Sequence, residues 1–359
     1  MLDITPPKDV SCEVEVDDTI RQLSAAFDYE FTGKSVFTPP EPRDIPTDFG
    51  IGLIVGPSGT GKSTILKKFG TEEPVHWDSR KAICSHFKDA TDAQERLSAV
   101  GFNSIPSWMR PYHVLSTGEK FRADMARRLH DGAVIDEFTS VVDRNVAKSC
   151  ANSIRRYVDQ KGLKGLVFAS CHYDIIEWLR PDWVFDTSTS RTTARGYERR
   201  PEIVLEMLPC SPEAWAMFRN HHYLDGNINK ASRCWIATWD GTPVGFASAL
   251  SFPNGSIKNG WREHRTVVLP DFQGLGLGVR ISDAVAEIFV SNGHRYFSKT
   301  AHPRMGEYRS KSPLWKPTTK NGISRQDYKR EGTKVSEEYS RKHADRVCYS
   351  HEFIGRGKK

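Results

Sequence analysis

Residues 51–70 read IGLIVGPSGTGKSTILKKFG, a glycine-rich turn between an apolar run and a lysine-bearing helical stretch. Gly56, Pro57, Ser58, Gly59, Thr60, Gly61, Lys62, Ser63 and Thr64 have the types and spacing of a phosphate-binding loop. Glycines let successive N–H groups turn toward phosphate oxygens, the lysine reaches the β- and γ-phosphates, and the serine hydroxyl can meet a magnesium ion. Further along, Gln273-Gly274-Leu275-Gly276-Leu277-Gly278 runs into a helical pattern with Ile281, Val285, Ile288 and Phe289 in register and Arg280 nearby. This is a second anion cradle, with backbone N–H groups at a helix's amino end.

Other residues gather around the first cradle. The segment GAVIDEF reads as a short apolar strand ending in Asp136 and Glu137, an acidic pair suited to a cation and to polarising an attacking water. The apolar stretch LKGLVFAS leads to Cys171-His172. Upstream stands HVLSTGEKFR, followed by a helical-looking ADMARRL.

The elements that must hold these residues fall into two groups. At 359 residues, with 38% hydrophobic and 27% charged side chains, the chain suits two soluble domains. No apolar run reaches the roughly 18 residues that span a bilayer, and the N-terminus lacks the blocks of a secretion signal, so a cytoplasmic location is expected. The seven cysteines show no CxxC spacing, which argues against a disulfide framework and a zinc site. A formal charge of +6 conceals asymmetry: residues 1–50 carry 11 acidic and 4 basic side chains, residues 301–359 carry 7 and 15. The basic end could meet coenzyme A phosphate or nucleic acid, or be a solvated surface.

The order GPSGTGKST, LSTGEK, VIDE, SVVD and a strand-end histidine resembles an ATP-binding-cassette (ABC) ATPase, over about residues 20–188. The resemblance implies ATP and Mg2+ as cofactors, with Gly59, Gly61, Lys62, Ser63 and Thr64 on the triphosphate and metal. It further implies Asp136 on the metal, Glu137 on the attacking water and His172 on the γ-phosphate. Ser116 and Gly118 would belong to a signature loop that contacts nucleotide held by a second copy, implying a homodimer. LSTGE departs from the usual LSGGQ, and close backbone approach survives if Gly118 holds φ > 0. Only 53 positions separate Lys62 from Leu115, a reduced helical region. No switch glutamine is evident; the expected strand KAICSHF puts His86 there, with Gln94 as the other candidate. Phe27, Tyr29 or Phe31 could stack on adenine or simply line a strand face.

Residues 187–200 are polar and turn-rich, a linker or exposed hairpin. Next come strand-like IVLEML, helix-like SPEAWAMFRNHHYL, and strands RCWIATW and PVGFASALSF joined through Asp240-Gly241, a hairpin signal that speaks against a dinucleotide fold. With the second cradle, the strand HRYFSKTA and a final strand RVCYSHEFIG, this order resembles a GNAT acetyltransferase over residues 201–359. That resemblance implies acetyl-CoA, with Gln273, Gly274, Gly276 and Gly278 on its pyrophosphate and the backbone of Val267 to Leu269 along its pantetheine arm. Glu263 and His264 are base candidates and Tyr308 an acid candidate; a capping carboxylate, a partly buried histidine and a core tyrosine are the alternatives. His221 and His222 read as helix-end and core residues.

The expected architecture is α/β: a P-loop ABC-ATPase domain with a reduced helical subdomain (1–190), a linker (191–200) and an α+β GNAT acyltransferase domain (201–359). The expected activity is ATP hydrolysis coupled to acetyl transfer onto a macromolecule. The alternatives are a nucleotide-gated binding module with a non-catalytic GNAT-like domain, or the energy subunit of a membrane transporter.

Overall fold

The computed structural model describes residues 9–194, 199–222, 226–252, 257–324 and 347–355. The chain folds into two compact units, one of residues 1–102 and 108–201, the other of residues 103–107 and 202–359.

The first unit opens with an antiparallel ribbon, β1 (Val10–Glu13) and β2 (Lys34–Phe37), with α1 (Asp18–Phe27) between them in sequence. Its sheet is built from β3 (Ile51–Val55), β4 (Val134–Ile135), β5 (Leu166–Ser170), β6 (Trp183–Asp186) and β7 (Arg191–Ala194), in the order β4-β5-β3-β6-β7. The first four run parallel; β7 pairs antiparallel with β6, so residues 191–194 of the turn-rich segment close a hairpin onto this sheet. Every residue of β3 and β5 is buried, the continuous apolar pattern of strands covered on both faces. Gly52 lets the Trp183 indole lie on β3: a Cβ there would sit 2.1 Å from the ring. The helices are α2 (Lys62–Leu66), α3 (Ala90–Ala99), α4 (Ile105–Trp108, straddling the two units), α5 (Thr117–Arg128), α6 (Arg144–Lys161) and α7 (Ile176–Leu179). KAICSHF is not a strand. Ile83–His86 is a 3-10 turn, held where the His86 ring meets Ala82 O and accepts from Asp78 N, both at 3.0 Å.

The second unit is a mixed sheet in the order β13-β15-β12-β11-β10-β9-β8. Its strands are β8 (Glu206–Cys210), β9 (Arg233–Trp239), β10 (Thr242–Ser251), β11 (Gly260–Val268), β12 (Arg295–Thr300), β13 (Trp315–Pro317), β14 (Ile323–Ser324) and β15 (Val347–Phe353), with β14 paired to β15. Asp240 and Gly241 both take positive φ, 49° and 75°, in the two-residue turn between β9 and β10. The helices α8 (Leu277–Ser291) and α9 (Pro303–Lys311) cover one face. On the other face, the expected helix SPEAWAMFRN is instead a pair of 3-10 turns, Pro212–Met217 and Arg219–His221. Three residues per turn put Trp215 and Phe218 on one side, where they pack with Cys234, Phe246 and Val267.

Candidate functional sites

In the first unit the carboxyl ends of the parallel strands bring the expected residues to one edge, where open α/β sheets bind ligands. Residues 56–61 leave β3, Asp136 and Glu137 follow β4, and His172 follows β5, which lies between the other two. Gly59 and Gly61 hold φ of 80° and 85°. A Cβ on Gly56 would fall 1.9 Å from Thr187 Oγ1, so only glycine fits that curl. Lys62 is buried and donates to Pro57 O at 2.8 Å, its amine folded inside the loop. Gly61 caps α2 without a side-chain bond, and Ser63 is exposed. Glycines in left-handed backbone, a buried amine and an exposed hydroxyl thus meet in one loop, a set that fits a bound anion.

Around it, Asp136 Oδ1 accepts from Glu137 N at 2.8 Å, while Glu137 and Thr139 take positive φ of 48° and 71°. A β-branched residue in that region is strained, as at sites whose geometry is over-determined by their surroundings. Thr139 Oγ1 lies 3.3 Å from His172 Nδ1. Burial, reinforced by Arg144, lowers the His172 pKa and favours its neutral form.

Several expectations require correction. Ser116 is the N-cap of α5, in a capping box with Glu119, and Gly118 sits in that helix's first turn instead of holding positive φ. His86, the expected switch candidate, has its ring nitrogens at Asp78 N and Ala82 O of the neighbouring backbone. Gln94 lies on α3, which packs on α5 and α6. Phe27 and Tyr29 are exposed and Phe31 is partly buried, and a further ring, Phe37, lies beside the loop, its Cε1 2.8 Å from where a Cβ on Gly61 would be. Phe37, Thr187 and Thr139 were not singled out in the sequence, because nothing local marks them.

In the second unit the key feature is a divergence of strands. β11 pairs in parallel with β12 only from Gly260 to Arg262, opposite Arg295 to Phe297. Beyond that point β11 continues beside β10 and β12 beside β15. The β10–β11 register shifts at His264, with Ser248 opposite Arg265 and Ala249 opposite Glu263, a β-bulge of the kind that bends a strand and re-aims its side chains. The chain then turns through Gln273–Gly276 into α8. Gly274 and Gly276 hold φ of 94° and 78°, and Gly276 caps α8 with no side-chain bond. The first-turn amides of this 15-residue helix are therefore directed at whatever lies beyond it, and Arg280 is exposed in the same turn. This arrangement also fits a bound phosphate.

Details of this cradle differ from expectation. The Gln273 N–H donates to Pro270 O at 3.2 Å and its side-chain Nε2 to Val268 O at 3.0 Å, so Gln273 braces the turn. Leu269 N donates to Val244 O at 2.9 Å. Strand alternation then turns the Thr266 and Val268 amides, not those of Val267 and Leu269, to the open side. Gly278 lies against Val268, 3.6 Å from its Cγ2 to an added Cβ.

The acid and base candidates are all engaged. Glu263 accepts from Thr266 Oγ1 (2.7 Å) and Ser282 Oγ (3.0 Å) on one oxygen, and from Ser298 Oγ (2.6 Å) and Arg309 Nη2 (2.7 Å) on the other. Its side chain is 12% exposed and that of Arg309 1%. Burial alone would raise the Glu263 pKa, but Arg309 and three hydroxyls outweigh it and the net shift is downward. A carboxylate so saturated is a poor proton acceptor, and the base expected there is the counter-ion of a buried guanidinium. His264 Nε2 accepts from Asn229 N at 3.3 Å. Tyr308 donates to Asp283 Oδ2 at 2.6 Å, and Trp315 Nε1 donates to Oδ1 at 2.7 Å. Burial and Asp283 raise the Tyr308 pKa, which weakens it as an acid. Neither Asp283 nor Arg309 was singled out in the sequence.

Among the described residues no group of three or more His, Cys, Asp or Glu is placed to hold a metal ion, and no helix is long and apolar enough to cross a membrane.

Residues 200–308 match the acetyltransferase (GNAT) family model. Among solved structures, a Bacillus subtilis acetyltransferase in complex with CoA is 10% identical with a TM-score of 0.28, covering 42% of this chain and 98% of that one. A GNAT-family acetyltransferase from Streptococcus pneumoniae is 12% identical with a TM-score of 0.30, covering 42% and 100%. A dimeric bacterial ABC transporter cassette is 14% identical with a TM-score of 0.35, covering 45% and 94%. No curated protein matches the chain. The family match is confined to residues 200–308 of the 359.

Proposed function

We propose that the chain transfers acetyl groups from acetyl-CoA and that its first unit binds and hydrolyses ATP with Mg2+, as a homodimer. The observation that carries the acetyl-transfer reading is the meeting of two features: the uncapped amino end of α8 behind Gly274 and Gly276, and the gap where β11 leaves β12. Helix amides would hold the diphosphate, with Arg280 nearby, and the turned-out backbone at Thr266 and Val268 would align the pantetheine arm. When bound, acetyl-CoA supplies an activated thioester. The residues of the chain bind and orient it, and the Glu263–Arg309 pair ties β11 to α9 beside the gap.

The ATP reading rests on the curled loop of residues 56–63 and on Asp136, Glu137 and His172 at the same sheet edge. Lys62, Ser63 and Thr64 would hold the phosphates and metal, Asp136 the metal, and Glu137 would orient water. Ser116 and Gly118 at the amino end of α5 would face nucleotide held by a second copy.

One observation favours a second reading, a nucleotide-gated module whose GNAT domain binds without catalysing: Glu263, His264 and Tyr308 all have partners within the fold. Mass spectrometry of cell extract incubated with the protein and isotope-labelled acetyl-CoA separates the two. Label should appear on a macromolecule in a protein-dependent way. Tight acetyl-CoA binding with no labelled product would favour the module.

A further inference from the structure

The acid and base candidates of the second unit are occupied, but a further titratable ring stands beside the same gap. α9 follows the carboxyl end of β12, the strand from which β11 departs. Two contacts tie α9 to α8. Tyr308 bonds Asp283 at 2.6 Å, and one turn earlier Met305 Cε lies 3.9 Å from where a Cβ on Gly278 would be. That same point is 3.6 Å from Val268 of β11, so the end of β11, the first turn of α8 and the first turn of α9 meet there. Residues three and four apart share a helix face, and on α9 this face holds Met305, Gly306 and Arg309, the last two buried. His302, the N-cap of α9, continues it by one turn at the gap end.

The backbone N–H of His302 donates to Thr300 Oγ1 at 3.0 Å, which fixes the residue in place. Its ring is half-buried, and the buried Nδ1 has no hydrogen-bond partner in another residue. A histidine that serves structure alone bonds its ring nitrogens, as His86 does in the first unit. Burial lowers the His302 pKa, and the charges of Arg304 and Arg309 act in the same direction, so the ring is neutral at pH 7. The carboxylates of the packed elements are committed elsewhere: Glu263 of β11 to Arg309, and Asp283 of α8 to Tyr308 and Trp315. On β15, His351 meets Ser310 and also feels the Arg309 charge. Where Glu263 is saturated by four donors, His302 offers a neutral imidazole with an unbonded ring nitrogen at the end of the strand that borders the gap.

We propose that His302 is the proton acceptor of acetyl transfer. This rests on the acetyl-transfer reading and supplies the base that Glu263 does not. The acceptor's N–H or O–H group forms a bond to the acetyl carbonyl carbon, the C–S bond to coenzyme A breaks, and the thiolate leaves with that electron pair. The acceptor's proton passes to the imidazole and from there to the thiolate. The test compares the full chain with His302→Gln and His302→Asn, the second chosen because asparagine also caps helices well and so preserves the start of α9. Calorimetry should show the parent and both variants taking up acetyl-CoA alike. In cell extract with isotope-labelled acetyl-CoA, the variants should transfer label about 100-fold more slowly or worse. The parent's rate should fall as pH drops below the ordinary histidine value of 6.5, where the imidazole becomes protonated, and the variants should lack that limb. Independently of any acceptor, acetyl-CoA should slow the modification of His302 by diethyl pyrocarbonate, read by peptide mass spectrometry. Three results would overturn the proposal: transfer at the parent rate by either variant, uptake of acetyl-CoA by the parent with no transfer, or modification of His302 at one rate with and without acetyl-CoA. Absence of uptake by the parent would remove the acetyl-transfer reading itself, and the proposal with it.

Discussion

The fate of Glu263 shows how far a residue's type alone can be trusted. A glutamate on the strand leading to a cradle reads as a base, yet its partner Arg309 lies 46 positions away and no local pattern announces it. Glu263→Gln should destabilise the second unit by about 3–5 kcal/mol, because it strands a buried guanidinium. The pH dependence follows from the direction of the shift. The folded-state pKa is depressed, so the stabilisation is complete above the unfolded value of about 4.3 and is lost as pH falls through the folded one. Thermal melts from neutral to acid pH should show the parent losing stability in that window and the variant losing markedly less. Parallel acid-induced losses would contradict the ion-pair role.

At the level of elements, what the sequence made legible was local. The Asp240-Gly241 turn and the glycine curl of residues 56–61 each depend on a few adjacent residues, and each is present. Elements decided by distant contacts were misread. Trp215 and Phe218 stand at a spacing that serves an α-helix or a 3-10 turn, and their common burial against Phe246 belongs to the tighter turn. KAICSHF carries strand-like alternation, but the His86 ring ties it into a turn. The clasp around the phosphate loop is also non-local: Thr187 Oγ1, just after the neighbouring strand β6, bonds Thr60 Oγ1 at 2.6 Å. Gly56→Ala would drive a Cβ into Thr187 and should cost about 1–3 kcal/mol of overpacking plus about 1 kcal/mol for the displaced bond. Gly59→Ala, with no atom within 4 Å of its added Cβ, should cost only the left-handed strain of about 1–2 kcal/mol. Thermal unfolding of the two variants should rank Gly56→Ala as the less stable; the reverse order would contradict the clasp.

For the whole molecule, the proposed reading, one phosphate-binding loop on each of two compact units, calls for two ligands that bind without competing. If the first unit works as a nucleotide-sandwiched pair, Glu137→Gln should accumulate as a dimer with ATP and Mg2+, measured by light scattering; a monomer at saturating nucleotide would argue against that assembly. A GNAT domain is recognised in residues 200–308, and its ligand claim is the most directly exposed to test. Isothermal titration calorimetry of acetyl-CoA into the full chain provides that test, in the absence and presence of saturating ATP. The account predicts one acetyl-CoA per chain, with the same stoichiometry when ATP occupies the first unit. No detectable uptake, or displacement of acetyl-CoA by ATP, would contradict it.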